Sequence, residues 1–247
     1  MLEFFDCNCE FGPYRTKVYR YAATVGELLE EMELCHIGRA LVFHTSMRFD
    51  SPVVGNRRIL EETRDHPRLV PAWSVLPSHT GEMRTGEDLL DDMRENGVRA
   101  LWLFPNDHRY FLDEMTWGDQ VAMFEERHIP LFIKARVDLI AQLLQAFKNL
   151  TVITGTHGFN PLDRYAWPLF ENFPNLICET SCYLTDGAIE EFCKRFGAGR
   201  LVFGSGYPAN AKGSAVLRLK HADISEAERS SIASGNLDRI LEGARME

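Results

Sequence analysis

Eight short apolar runs, each followed by a segment with helical spacing, predict an α/β fold, a (β/α)8 barrel of the TIM type. Two further observations favour it over an open sheet. The 247 residues are close to the roughly 250 that eight strand-plus-helix units occupy. Neither a G-x-G-x-x-G after a strand nor a G-x4-G-K-[ST] occurs, so no nucleotide fingerprint supports a doubly wound sheet.

The predicted strands are Leu2–Phe5, Ala40–Phe43, Leu69–Ala72, Ala100–Leu103, Pro130–Ile133, Leu150–Ile153, Leu176–Cys178 and Arg200–Phe203. Most are apolar on both faces, as strands covered on both sides must be. Between the first two, Thr24-Val-Gly-Glu27 is a capping box opening a stripe of Val25, Leu28, Leu29 and Met32 along one helix face. The same spacing recurs in Ile140, Leu143, Leu144 and Phe147, and in Ile189, Phe192, Cys193 and Phe196, where Gly197 supplies a stop. Ser225-Glu-Ala-Glu228 opens the last helical region. The longest irregular stretches, His44–Pro52, Leu76–Thr85 and Pro105–Thr116, follow strands two, three and four, on the side where barrels carry their active sites. With no linker, repeat or low-complexity tract, residues 1–247 read as one barrel domain.

Composition removes several classes of function. Hydrophobic residues at 45% and charged residues at 26% are globular values that exclude a disordered or fibrous chain. A net charge of −9, from 36 acidic against 27 basic residues, argues against nucleic acid or an anionic membrane as partner. No apolar run approaches the roughly 20 residues of a membrane span, and the N-terminus lacks a signal-peptide pattern, so a cytoplasmic location is expected. Cys7, Cys9, Cys35, Cys178, Cys182 and Cys193 lie in or beside apolar segments, the placement of reduced core thiols, and none shows the C-x2-C spacing of structural zinc.

In a barrel, the side chains just past each strand share one pocket, and they must decide the function. They are Asp6, Asn8 and Glu10 after strand one, His44 after two, Trp73 and Ser74 after three, and Trp102 and Phe104 near four. Lys134 and Arg136 follow strand five, and Thr154, Thr156 and His157 follow six. Glu179 and Ser181 come after strand seven, and Ser205, Gly206 and Tyr207 after eight.

Four of these stretches carry a family resemblance. Phe5-Asp-Cys-Asn-Cys-Glu-Phe-Gly12 resembles the Asp-x-His-x-His opening of the amidohydrolase superfamily, in its amidohydrolase-related branch of hydrolases and decarboxylases. Asn149–Gly158 is similar to that branch's strand six with its His-x-Gly, Arg200–Pro208 to its strand eight with Gly-Ser-Asp-x-Pro, and Gly235–Leu241 to its closing Asn-x-x-Arg-Leu-Leu. The resemblance implies a distorted barrel and a divalent metal held by two strand-one histidines, a histidine after strand five and the strand-eight aspartate. At those positions this sequence has Asn8, Glu10, Lys134 and Gly206, and Thr156 stands where the strand-six histidine would. An ammonium in place of imidazole and carboxylate donors opposes zinc binding, so no metal cofactor is expected.

Charge suggests the replacement. Lys134 puts a positive charge where the ion would sit, with Glu10 and Glu179 at its flanks. A buried ammonium has to be paired, and a salt-bridge cluster filling a lost metal site is one outcome. The other is a pocket in which Lys134 and Arg136 bind an anionic small molecule, the arginine bidentately and the lysine as a point charge. Lys134 as base or Schiff-base nucleophile, with Glu10 or Glu179 carrying the proton, is its sharper form. His157 and His44 are candidates for acid/base work or for hydrogen-bonded wall positions. Trp73 and Trp102 offer an apolar wall for a ring-shaped substrate, and Asn8, Thr156 and Ser205 polar contacts.

Three readings stand side by side. The first is a hydrolase or lyase acting on a small carboxylate-bearing substrate, with Lys134, His157, Glu10 and Glu179 at the reacting centre and no metal. The second is a catalytically silent relative that binds a ligand or a protein partner. The third is a metal enzyme with one divalent ion such as zinc on Glu10, His157 and Glu179. A homo-oligomer is compatible with the resemblance.

Overall fold

The computed structural model describes residues 2–14, 20–155 and 163–246, and within them nine short strands pair in parallel in chain order. They are β1 (Phe5–Phe11), β2 (Arg39–His44), β3 (Leu69–Pro71), β4 (Trp73–Ser74), β5 (Leu101–Leu103), β6 (Leu131–Ile133), β7 (Val152–Thr154), β8 (Leu176–Glu179) and β9 (Leu201–Val202). The count exceeds eight because the third strand is split. β3 pairs with β2 and β4 with β5, and Ala72 N donates to Val42 O (3.0 Å) just before Trp73 N turns to Ala100 O (3.2 Å). The strands thus fill the eight positions of a TIM-type barrel.

The largest difference from the sequence reading is β1, which starts at Phe5 rather than Leu2 and runs through Asp6, Asn8 and Glu10 to Phe11. These polar residues can lie within the strand because each meets a partner inside the barrel. Between Asp6 and Cys9 the register against β2 shifts, a bulge that re-aims the side chains. Cys7 and Cys9 are fully buried on the other face, as their alternation predicts.

The helices follow their caps. Helix Val25–Leu34 opens with the expected box, in which Thr24 Oγ1 accepts from Glu27 N and the Glu27 carboxylate from Thr24 N, and it buries Val25, Leu28 and Met32. Helix Val137–Ala146 buries Ile140, Leu143 and Leu144. Helix Ala188–Phe196 buries Ile189, Phe192 and Cys193 and stops at Gly197, whose φ of +81° is open to glycine. Two stretches read as irregular carry short helices, Ser46–Phe49 after β2 and Pro105–His108 after β5. None of the described helices is long and apolar enough to cross a membrane.

The first and last strands meet through main-chain and side-chain bonds. Cys7 N donates to Phe203 O (2.9 Å), Glu10 N to Tyr207 O (3.0 Å) and Gly206 N to Asn8 O (3.0 Å). The wholly buried Asp6 carboxylate reinforces this seam, accepting from Ser205 N (2.8 Å), Ser205 Oγ (2.5 Å) and Asn8 N (3.2 Å). Burial pushes the Asp6 carboxyl above its ordinary range, while Lys212 and the Ser205 bonds act to keep it ionised. Ser205→Ala removes one of these charge-assisted bonds, so it is expected to lower stability by about 2 kcal/mol, read as a shift of the urea midpoint at constant slope.

Candidate active site

At the C-terminal ends of the strands lies a cavity of about 260 Å³. Its floor is aromatic. Trp102 of β5 stacks on Phe104 with planes 1° apart and packs against Phe43 (4.6 Å) and Phe132 (4.9 Å), and Trp102, Phe43 and Phe132 all line the cavity. Such a floor complements a flat apolar ring.

Glu179, at the end of β8, is 2% exposed and forms one polar wall. Its Oε1 accepts from Asn8 Nδ2 (3.0 Å) and Ser181 Oγ (2.5 Å), and its Oε2 from Ser181 N (2.7 Å). The carboxyl fits only because two glycines flank it. A Cβ on Gly155 would stand 1.4 Å from Oε1 and one on Gly204 2.2 Å from Oε2. Among the described residues no cation lies within ion-pair distance of it. Burial pushes its pKa up against the pull of the Ser181 and Asn8 bonds, and Asp6 adds to the rise.

Glu10 forms a second polar wall. It is 4% exposed, with Arg48 Nη1 3.4 Å from Oε2 and the Tyr14 hydroxyl bonded to the carboxylate, while Oε1 has no partner among the described residues. Burial raises its pKa, and Arg48, Tyr14 and Lys134 oppose the rise. Arg48 also bonds Asp107 (3.1 Å) and lies over the rings of Phe49 and Phe104. Lys134, beyond β6, is exposed to the open cavity and makes no ion pair within 4.0 Å among the described residues. Its partly desolvated setting lowers its pKa, Arg48 lowers it further, and Glu10 opposes both.

The structure thus brings together Asn8, Glu10, Trp102, Lys134 and Glu179. It does not build the expected cluster of Lys134 with two carboxylates. Glu10 is held by Arg48, because the short helix Ser46–Phe49 turns that guanidinium inward, and Glu179 is satisfied by neutral donors. Four other predicted residues stand elsewhere. Arg136 is on the surface, paired with Asp138 at 2.6 Å, since the chain turns into helix Val137–Ala146 directly after it. Ser205 holds Asp6 within the wall, and Trp73 is buried in β4 outside the cavity lining. His44, the last residue of β2, is 1% exposed outside the cavity lining, where Nδ1 accepts from Ser46 N (3.1 Å) and burial lowers its pKa to about 4, so it is neutral at pH 7. Thr156 and His157 lie outside the described residues.

Tyr14 and Arg48 line the cavity and escaped the sequence reading, and Cys182, read as a core thiol, lines it as well. Arg48 lies inside the stretch 44–52, already placed at the barrel mouth, but nothing in its neighbours' spacing shows which way it points. Cys182 follows Ser181 and stands 3.7 Å from its hydroxyl, with burial and Glu179 raising the thiol pKa.

A family model described as amidohydrolase matches residues 12–242. The chain belongs to the amidohydrolase family. Solved structures of similar fold include 5-carboxyvanillate decarboxylase from Sphingomonas paucimobilis, 14% identical with TM-score 0.79 over 98% of this chain and 99% of that one. The chain is also similar to 2,6-dihydroxybenzoate decarboxylase from Rhizobium (15%, 0.74, 98% and 99%) and to 4-oxalomesaconate hydratase from Rhodopseudomonas palustris (14%, 0.69, 97% and 96%). At these identities the likeness shows the fold. No curated protein matches the sequence.

The family implies a divalent metal, and the described residues do not fit one. No group of three His, Cys, Asp or Glu side chains among them comes together to hold an ion. Gly206, at the family aspartate's position, has φ +67°, and a Cβ there would meet Ser181 Cβ and Asn210 Nδ2 at 2.8 Å, so the backbone resists an aspartate.

Two outcomes test this geometry. Gly155→Ala drives a methyl into the Glu179 carboxyl and is expected to cost about 3 kcal/mol or more in a denaturation experiment. For His44, the unfolded chain binds its proton near 6.5 and the folded chain only near 4. Its contribution to stability is therefore complete above pH 6.5 and is lost as pH falls through that window. An imidazole NMR titration with a midpoint near 4 is the direct check.

Proposed function

We propose that this amidohydrolase-family chain binds a small carboxylate bearing a planar ring and acts on it as a hydrolase or lyase without a metal ion. The observation that carries the reading is the Lys134 ammonium, which has no ion-pair partner among the described residues and projects into a cavity floored by Trp102 and Phe132. A cation in a partly desolvated cleft attracts a carboxylate, and the aromatic floor adds stacking area. Across the cavity, the unpartnered Glu10 Oε1 asks for a hydrogen-bond donor, which a hydroxyl on the same substrate would supply. The relatives named as decarboxylases of dihydroxybenzoate and carboxyvanillate and as a hydratase of oxalomesaconate act on carboxylates, which supports the substrate class.

The residues divide the work by charge. Lys134 holds the substrate carboxylate as a point charge, Arg48 keeps Glu10 in place, and Asn8 fixes Glu179 from below. Burial raises both carboxyls toward neutrality, so Glu10 or Glu179 can carry the proton that a lyase or hydrolase step delivers to carbon or oxygen. Closed hydrogen bonding around Glu179 favours a second reading, in which the family site survives as a binding pocket without turnover.

The test combines elemental analysis with a lysine variant. Protein purified without chelators or affinity metals is expected to be folded and substoichiometric in zinc, iron and manganese. Lys134→Met is expected to keep the fold and to weaken binding of 2,6-dihydroxybenzoate by roughly 10-fold or more in calorimetry, the ~1.4 kcal/mol scale of an ionic hydrogen bond. Stoichiometric metal removed by Glu10→Ala would overturn the metal-free site, and unchanged affinity in Lys134→Met would overturn the carboxylate contact. Binding with no conversion of the ligand supports the silent reading.

A further inference from the structure

A separate cavity of about 280 Å³ lies between the segment that follows β8 and the last turn of helix Lys212–His221. Charges of both signs line it. The Arg218 guanidinium comes from that last turn, with His221 in the same lining, and the carboxylates of Asp186 and Glu190 come from the start of helix Ala188–Phe196. Ile189 and Ala222 add an apolar side. None of these residues lines the candidate active site.

Coulomb attraction draws opposite charges in so small a space together, yet among the described residues Arg218, Asp186 and Glu190 form no ion pair with one another or with any other group. Arg218 is half-buried, and its covered Nη2 finds no acceptor. Burial lowers its pKa, and Cys182 and Glu179, which act on it from the side of the active site, do not restore it. Glu179 is already satisfied by Asn8 and Ser181. Glu190 spends Oε1 on Asp223 N (2.8 Å), and Asp186 is exposed. An anion alone would meet two carboxylates against one guanidinium, and a cation alone would meet Arg218. A molecule that bears both charges can meet each with its opposite.

We propose that this cavity binds an α-amino acid with an apolar side chain, its carboxylate on Arg218, its ammonium between Asp186 and Glu190 and its side chain against Ile189 and Ala222. The guanidinium supplies the planar fork that a carboxylate fits bidentately, and the ammonium supplies donors to the two acids. The site is separate from the candidate active site and stands without the function proposed there. Its lining begins at Tyr183, directly after the turn Thr180–Cys182 whose Ser181 holds Glu179, so the two sites share one stretch of backbone.

Calorimetric titration of the full chain with L-leucine, isocaproate and isopentylamine tests the site. The last two are leucine without its ammonium and leucine without its carboxylate. L-leucine is expected to bind roughly 10-fold or more tightly than either, since only it satisfies both ends of the cavity. Arg218→Gln is expected to weaken leucine binding by roughly 10-fold or more. Asp186→Asn, at an exposed position where the fold tolerates it, is expected to weaken the binding of leucine and not that of isocaproate. Lys134→Met, in the other cavity, is expected to keep leucine affinity within about twofold of the parent. No binding of leucine to the unmodified chain, either half-ligand binding as tightly as leucine, unchanged affinity in Arg218→Gln or in Asp186→Asn, or an equal loss in Lys134→Met overturns the site.

Discussion

The buried Asp6 carboxylate is the constraint on which the rest of this barrel depends. It stands where the first strand meets the segment after the last, and every bond it accepts comes from across or along that seam: Ser205 N, Ser205 Oγ and Asn8 N. A carboxyl with no water must find its donors within the protein, so the strand ends cannot drift apart without leaving it unsatisfied. The same three donors set the course of the chain on both sides. Asn8 is directed toward Glu179, Glu10 lies beside Tyr207 O, and Gly206 turns through its left-handed conformation to donate to Asn8 O.

From that seam outward, the site handles charge through side chains the family pattern does not contain. Two carboxyls remain, but they are kept apart and in different company. Glu179 lies in a slot made by two glycines and is satisfied by neutral donors, whereas Glu10 faces a guanidinium and leaves one oxygen without a partner. Lys134 is a cation at the mouth with no ion pair within 4.0 Å among the described residues, and Glu10 and Asp107 act on it from further off. Burial raises the pKa of both carboxyls, opposed at Glu10 by Arg48 and Tyr14 and at Glu179 by the Ser181 and Asn8 hydrogen bonds. The left-handed Gly206 is crowded by Ser181 and Asn210, so a side chain at this position meets both the backbone conformation and its neighbours as obstacles.

The Tyr207–Asn210 segment matters for the same reason. It lines two cavities, and the Lys212 side chain packs on the face of its Tyr207 ring.

The sequence by itself determined the local structure. Alternating apolar runs placed the strands, and the boxes at Thr24–Glu27 and Ser225–Glu228 placed helix starts that the structure reproduces. The row of chemically suggestive residues at the strand ends was legible too, and Asn8, Glu10, Trp102, Lys134 and Glu179 do line one cavity. These features depend on neighbours a few residues apart, whose hydrogen bonds and periodicity are written in order along the chain. Only the tertiary structure decided which charge meets which. Arg48 rather than Lys134 takes Glu10 from 38 residues away, Ser205 is spent on Asp6 across 199 residues, and Arg136 turns outward to Asp138. The strand pattern places each side chain at the barrel mouth but leaves its rotamer open, and there a swing of a few ångströms selects the partner. β1 extends further than the apolar pattern predicts for a related reason: Asp6, Asn8 and Glu10 are too polar for an interior strand until the tertiary structure supplies the groups that satisfy them.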